Sequence, residues 1–380
     1  MRFNTRLIHS AQPPDPLTGA VNVPIYLTST FRQFAPDRHQ GYVYSRSGNP
    51  TRAVLEATLG AIESGSTGLA FASGLGALAT LLEGFPSGSR IVSVDDLYGG
   101  TWRLFEHHRR HFGLRVDYVD MTDLANLETA LGEKADLVYI ESPTNPLLKL
   151  VDLRRAVLLA RRTRALVAVD NTFATPALQR PIEFGADIVL HSTTKYLGGH
   201  SDIVGGALVF RKPKVAARFA WLQNAVGAVP SPFDCFLVLR GIHTLGVRMR
   251  AHEASARAVA KELDGQRKVR SLYYPGLSSH PQHALARRQM RGYGGIVSVD
   301  LVGGRRAALS FLRRLKVFTL AESLGGVESL VDHPATMTHA SVPRKEREAH
   351  GVTDGLLRLS CGIEDPADLV ADVRAALRGV

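Results

Sequence analysis

Lys195 stands in the run His191-Ser192-Thr193-Thr194-Lys195-Tyr196-Leu197-Gly198-Gly199-His200, directly after the apolar stretch Ala186 to Leu190. A lysine at the end of a buried strand, with hydroxyl residues behind it and glycines ahead, is poorly explained as a solvated surface charge. A second apolar run, Ala165 to Val169, ends in Asp170-Asn171-Thr172, which delivers a carboxylate to another strand end upstream. A lysine able to form a Schiff base and an aspartate able to keep a pyridine nitrogen protonated are what pyridoxal 5'-phosphate requires.

Other residues fit that chemistry with less force. Leu69 to Ala79 passes from strand to glycine turn to helix start at Ser73-Gly74-Leu75, where free N–H groups and the helix dipole hold phosphate. The same residues satisfy G-x-G-x-x-A, and Asp95-Asp96 follows the next strand as a dinucleotide fingerprint requires. A nicotinamide dehydrogenase therefore competes, although it leaves Lys195, Asp170, Ser192 and Thr194 without a role. Tyr98, before Gly99-Gly100, is either a turn aromatic capping the core or a ring stacked on a planar cofactor. Arg46, in Tyr44-Ser45-Arg46, is either a surface-turn residue or a bidentate phosphate ligand. Arg358 interrupts the apolar run Leu356 to Leu359, where an arginine needs a structural carboxylate or a substrate anion.

The elements that must position these residues alternate. From about Thr51 to Phe210, helical patterns separate the runs Thr67–Ala72, Arg90–Val94, Leu114–Val119, Asp136–Ile140, Ala165–Val169, Asp187–Leu190 and Ala207–Phe210. Alternation of this kind predicts a mainly parallel α/β sheet covered on both faces, with its ligand at the carboxyl ends of the strands. Up to Arg46 the chain is rich in Pro, Gly, Thr and aromatics and reads as an extended arm. Lys214 to Leu263 reads as helical with a break near Pro230-Ser231-Pro232. Beyond it, strands at Gly294–Leu301 and Gly355–Ser360 and helices at Arg305–Leu315 and Asp365–Leu377 predict a smaller α+β domain. The division expected is an arm over 1–46, a cofactor domain over 47–235 and a C-terminal domain over 236–380.

Composition narrows the function classes. The 46 Lys and Arg against 35 Asp and Glu give a formal charge of +11, but the arginines are interleaved with apolar residues along helices, as on wet faces. Nucleic-acid binding is not expected. Two distant cysteines make neither a disulfide framework nor a metal site, and no leader or spanning segment is legible, so a cytoplasmic protein without membrane association is expected.

Tyr44 to Thr51 (YSRSGNPT), Phe71 to Gly74, Asp95 to Thr101 (DDLYGGT), Glu141 to Pro146 (ESPTNP), Val169 to Phe173, Ser192 to Asp202 (STTKYLGGHSD) and Ala321 to Leu330 (AESLGGVESL) together resemble the Cys/Met-metabolism family of pyridoxal-phosphate enzymes, of the aspartate-aminotransferase fold, type I. The resemblance implies that Lys195 carries the cofactor and moves protons, that Asp170 pairs with its pyridine nitrogen, and that Tyr98 stacks on its ring. It implies that Ser73, Gly74, Leu75, Thr172, Ser192 and Thr194 hold the cofactor, with Tyr44 and Arg46 supplied by an adjacent subunit. Lys195, Tyr98 and Tyr44 are then the catalytic set. Arg358, Ser323, Asn145, Arg103 and Glu322 become the amino-acid substrate's ligands, and the implied assembly is a homotetramer, a dimer of dimers. Within the family, Asn224 to Cys235, Tyr274 to His283 and Met337 to Val342 resemble the branch that eliminates at the γ-carbon of cystathionine, releasing cysteine, 2-oxobutanoate and ammonia. The γ-replacement branch, which joins an O-acylhomoserine to cysteine, shares most of these features. Gly100 stands where γ-eliminases of methionine carry a cysteine, and Trp102 is expected beside the substrate wall.

Overall fold

A computed structural model describes all 380 residues, Met1–Val380. The larger sheet has seven strands: β1 (Thr67–Phe71), β2 (Arg90–Val94), β3 (Arg115–Val119), β4 (Leu137–Glu141), β5 (Leu166–Asp170), β6 (Ile188–Ser192) and β7 (Gly206–Phe210), in the order β1-β7-β6-β5-β4-β2-β3. Parallel ladders join β3, β2, β4, β5 and β6, and β7 alone runs antiparallel to its neighbours β1 and β6. The central strands are buried on both faces, which is why β4 reads Leu137-Val138-Tyr139-Ile140 with no alternation. Every strand run expected from the sequence is present within two residues at its ends.

The helices between them begin where capping chemistry directs. Asn49 accepts N–H bonds from Thr51 and Arg52 to start Pro50–Ile62, and Ser73 accepts from Gly76 to start Gly74–Glu83. The helical stretch expected over Lys214 to Leu263 is three helices, Pro213–Val226, Pro232–His243 and Leu245–Leu263. Gly227, left-handed at φ 79, ends the first helix, Pro232 opens the second at its first position, and Thr244, outside helical geometry, makes the second break.

A five-stranded sheet follows, in the order β10-β11-β12-β9-β8, from β8 (Val269–Tyr273), β9 (Ile296–Leu301), β10 (Thr319–Leu320), β11 (Leu330–Asp332) and β12 (Leu356–Ser360). Helices Gly304–Leu312 and Pro366–Arg378 pack with it around Val297, Val299, Phe311, Leu357, Leu359 and Val373. β8, β10 and β11 carry little apolar periodicity and were not expected.

The arm departs from an extended reading at its start. Phe3–His9 is a helix whose Leu7 is 1 % exposed, packed in the same cluster as Leu55, Leu59 and Ile62. One buried residue in seven leaves no periodic signal to read. Residues 11–48 hold no helix or strand, and Leu17, Val21, Leu27 and Phe34 are more than half exposed.

Candidate active site

The carboxyl ends of four strands converge on one cavity of about 620 Å³. Ser73, Gly74 and Leu75 follow β1, Glu141 closes β4, Asp170 closes β5 and Ser192 closes β6, with Thr194 and Lys195 just beyond. Tyr98 comes from the turn after β2, and the C-terminal part supplies Glu322, Ser323, Glu328 and Arg358.

One end suits phosphate. The first N–H groups of Gly74–Glu83 have no helical acceptor, and the Ser73 hydroxyl takes only that of Gly76, at 2.8 Å. A side chain at Gly74 would come within 3.0 Å of Ser192 Cβ, so glycine permits this close approach. Thr194 Oγ1 is locked to Gly205 by bonds of 3.2 and 2.9 Å, and Thr172 Oγ1 accepts from Ser192 N at 2.9 Å, tying the ends of β5 and β6 together.

Asp170 Oδ1 accepts from Thr172 N at 2.9 Å, and the Tyr139 hydroxyl lies 3.4 Å from Oδ2. Burial raises the Asp170 carboxyl and the Thr172 hydrogen bonds pull it back. Glu141, opposite Asp170 in the β4–β5 register, is pushed well above the usual carboxylate range by burial and then by Asp170's charge. Its Oε2 accepts from Tyr98 N at 3.1 Å, so the stacking candidate is anchored to the same carboxyl pair.

Lys195 Nζ donates to Ser323 Oγ at 2.7 Å. Burial, followed by the nearby Arg358 charge, brings the amine down to about 8 against the opposing pull of Asp332 and Glu322. Near neutral pH part of the lysine is thus unprotonated. Ser323 itself has φ 97, a left-handed backbone that strains a non-glycine residue. That conformation presents its hydroxyl to Lys195 and its carbonyl to Arg358 Nη2 at 2.9 Å. Arg358 Nη1 donates to Asn145 Oδ1 at 2.8 Å, and Arg358 also forms an ion pair with Asp332.

Thirteen of the sixteen residues singled out in the sequence line this cavity; Tyr44, Arg46 and Arg103 do not. Tyr44 is 43 % exposed, and Arg46 lies over its ring at 5.6 Å while donating to Asn224 O at 2.9 Å. Arg103 is exposed, and its charge reaches Tyr98 without placing it on the wall. Trp102 is a correction: helix Gly99–His111 turns Thr101 into the cavity and Trp102 away, against the core of the larger sheet. Gly100 has a steric reason, since a Cβ there would lie 2.4 Å from the Tyr98 ring. Glu141, Thr101, Thr338, Glu328 and Asp332 were given no role beforehand. The strand-end rule could have found Glu141; nothing local marks Asp332.

The dinucleotide alternative loses its acidic partner here. Asp95 is held by Lys149 and His350, and Asp96 by Thr144 and the Leu147 N–H. An amine of lowered pKa, a carboxylate at a strand end, a glycine-lined anion cradle and a ring on one cavity instead fit pyridoxal phosphate: Lys195 to hold its carbonyl carbon, Asp170 its nitrogen, and Ser73 to Leu75 with Ser192 and Thr194 its phosphate.

Fold and site thus define a pyridoxal-phosphate-dependent enzyme acting on an amino acid. The chain belongs to the Cys/Met metabolism PLP-dependent enzyme family, whose model matches residues 4–378. It is 52 % identical to a cystathionine beta-lyase of Coxiella burnetii, over 99 % of this chain and 97 % of that one. It is 49 % identical to a cystathionine gamma-lyase of Dictyostelium discoideum, with the same coverages. The crystal structure of a cystathionine gamma synthase from Xanthomonas oryzae pv. oryzae, in complex with aminoacrylate and cysteine, superposes with a TM-score of 0.97 at 46 % identity, covering 100 % of this chain and 98 % of that one. Three related trans-sulfuration reactions are therefore represented among its relatives. No helix is long and apolar enough to cross a membrane.

Proposed function

We propose that the enzyme cleaves cystathionine at its γ-carbon to cysteine, 2-oxobutanoate and ammonia. The observation that carries this is a cavity that holds, besides Lys195, Asp170 and Glu141, one cationic grip, Arg358, and two further carboxylates, Glu322 and Glu328, which suits an amino acid with a second ammonium. The segments at Asn224–Cys235, Tyr274–His283 and Met337–Val342 support the γ-branch.

When bound, pyridoxal phosphate supplies an electron sink for charge developing at the substrate's α-carbon. Asp170 keeps the pyridine nitrogen protonated, and Tyr98 covers the ring. Arg358, set by Asn145 and the Ser323 carbonyl, takes the α-carboxylate. Lys195, with its lowered pKa, would accept the Cα proton, give it up within the site, and, as a free amine again, take a Cβ proton that it hands to the departing sulfur as the Cγ–S bond breaks, so that cysteine leaves as the thiol. Water completes the balance, yielding 2-oxobutanoate and ammonia. Ser323 Oγ, 2.7 Å from Lys195 Nζ, steers the amine between the two positions.

Residues 11–48 bury little and carry exposed Leu17, Val21, Leu27 and Phe34, which supports an arm over 1–46 that completes a neighbouring site with Tyr44 and Arg46. On the family resemblance the assembly is read as a homotetramer of two such pairs, with the cofactor domain over 47–235 and the C-terminal domain over 236–380.

Product analysis of the purified holoenzyme tests the reaction. Cysteine with 2-oxobutanoate from cystathionine is expected. Homocysteine with pyruvate would assign β-elimination, and turnover only of an O-acylhomoserine with cysteine would assign γ-replacement, the reaction named for the Xanthomonas relative.

A further inference from the structure

Asp332 closes β11 and faces Arg358 across the antiparallel β11–β12 register. The two side chains, 1 % and 2 % exposed, form an ion pair. Arg358 lines the cavity and Asp332 does not, so the carboxylate stands behind the guanidinium. Apart from that pair neither Asp332 oxygen has a donor, and Arg358 Nε is likewise unpartnered. A buried ion pair built only for stability needs its remaining lone pairs satisfied; this one is not closed in that way.

We propose that Asp332 is a positioning residue that sets the affinity of Arg358 for the substrate's α-carboxylate by sharing the guanidinium's charge. The proposal rests on Arg358 being that carboxylate's ligand. One guanidinium cannot neutralise two carboxylates in a low-dielectric site, so an ionised Asp332 weakens the grip and a protonated Asp332 strengthens it by leaving the guanidinium's charge to the substrate. The other charged groups facing Asp332 are Glu322, which adds to the negative field, and Lys195, which opposes it. Burial raises the Asp332 carboxyl and Arg358 pulls it back, leaving it at about 6. A substrate carboxylate arriving at Arg358 disfavours the ionised form and draws a proton onto Asp332. By reciprocity, binding is tighter below that pH and weaker above it.

The test uses the holoenzyme with L-alanine, which has no leaving group, and L-alaninamide, which lacks the carboxylate; binding is followed by the cofactor's absorbance. The alanine Kd of the wild type divided by that of Asp332→Asn should be near one at about pH 5 and rise to about tenfold above about pH 7. For alaninamide the ratio should stay near one throughout. With cystathionine, KM should change more than kcat. A folded Asp332→Asn whose alanine Kd tracks the wild type at every pH overturns the proposal, and so does an equal effect on alaninamide. Arg358→Ala separates the two readings: if it keeps the preference for alanine over alaninamide, the assignment of Arg358 fails, whereas loss of preference with no Asp332 effect sinks only the present proposal. Asp332→Ser, which leaves room for water at the guanidinium, serves if the asparagine variant does not fold. Should neither fold, calorimetry of the wild type in buffers of different ionisation enthalpy decides. Alanine binding near pH 6.5 should take up more protons than alaninamide binding once the ligands' own amines are subtracted, and equal uptake overturns the proposal.

Discussion

Lys195 carries the sharpest single-residue expectation. Its amine is lowered to about 8 by burial and by Arg358, which suits both covalent attachment of the cofactor and proton transfer. Lys195→Ala should fold, lose the chromophore that borohydride fixes, and turn over no cystathionine; a retained borohydride-sensitive chromophore would remove Lys195 from its role. Glu322 is the second case. It lines the cavity, and a charge-assisted contact to a substrate's second ammonium contributes about 1.5 to 3 kcal/mol. Glu322→Ala should therefore lower kcat/KM for cystathionine roughly ten- to a hundredfold, with much smaller losses for homoserine or cysteine. Equal losses on all three would indicate general damage. Both residues were legible in the sequence through their motifs. Asp332 was not, because its meaning comes wholly from lying opposite Arg358 in a strand pair whose sequence separation is large.

At the scale of elements, the turn that carries Tyr98 is held from two sides. Glu141 at the end of β4 binds the Tyr98 N–H, and Asp95 at the end of β2 is braced by Lys149, at 3.2 Å, and by His350, at 3.3 Å, which follows helix Arg344–Ala349. Burial pushes Asp95 up, but His350 and Lys149 outweigh it and bring the carboxyl down to about 2; the hydrogen bond that His350 donates to Asp95 raises His350. The signs follow from linkage. The raised His350 contributes stability that is complete below its unfolded pKa of about 6.5 and is lost as pH rises through its folded value; the depressed Asp95 contributes above about 4 and is lost as pH falls toward its folded value. The brace is complete between those limits. Hydrogen exchange over residues 344–352 should accordingly quicken in His350→Ala most strongly between about pH 4 and 6.5, and a pH-independent change would assign His350 a packing role only.

For the whole molecule, Arg46 and Tyr44 stand outside the cavity of their own chain, at the end of an arm whose apolar side chains are exposed. If the arm completes a neighbour's site, Arg46→Ala and Lys195→Ala subunits, each inactive alone, should regain part of the activity when mixed after reversible dissociation, since a hybrid pair contains one site with both wild-type residues. Verified hybrids without activity would place Arg46 elsewhere. Size-exclusion chromatography with light scattering of the wild type should meanwhile give four chains per particle.

The seven strands of the larger sheet were legible in the sequence alone, because the central ones, buried on both faces, are apolar throughout, and the helices that alternate with them space out the rest, the half-exposed edge strand β3 included. The sequence also determined the amine, the carboxylate and the anion cradle, since a parallel sheet delivers its strand ends to one side and motifs at those ends become neighbours. Tertiary structure decided the rest. β11 is three residues long and β8 is only partly buried, so neither writes a pattern into the chain. The rotation of about 100° between successive helical residues, Thr101 and Trp102, sent the bulky one against the core and not to the substrate wall. Glu141's raised pKa owes something to Asp170 across one strand pair, and Arg358 meets its carboxylate partner, Asp332, across another. Such pairings are set by register and burial, quantities that exist only once the chain has folded.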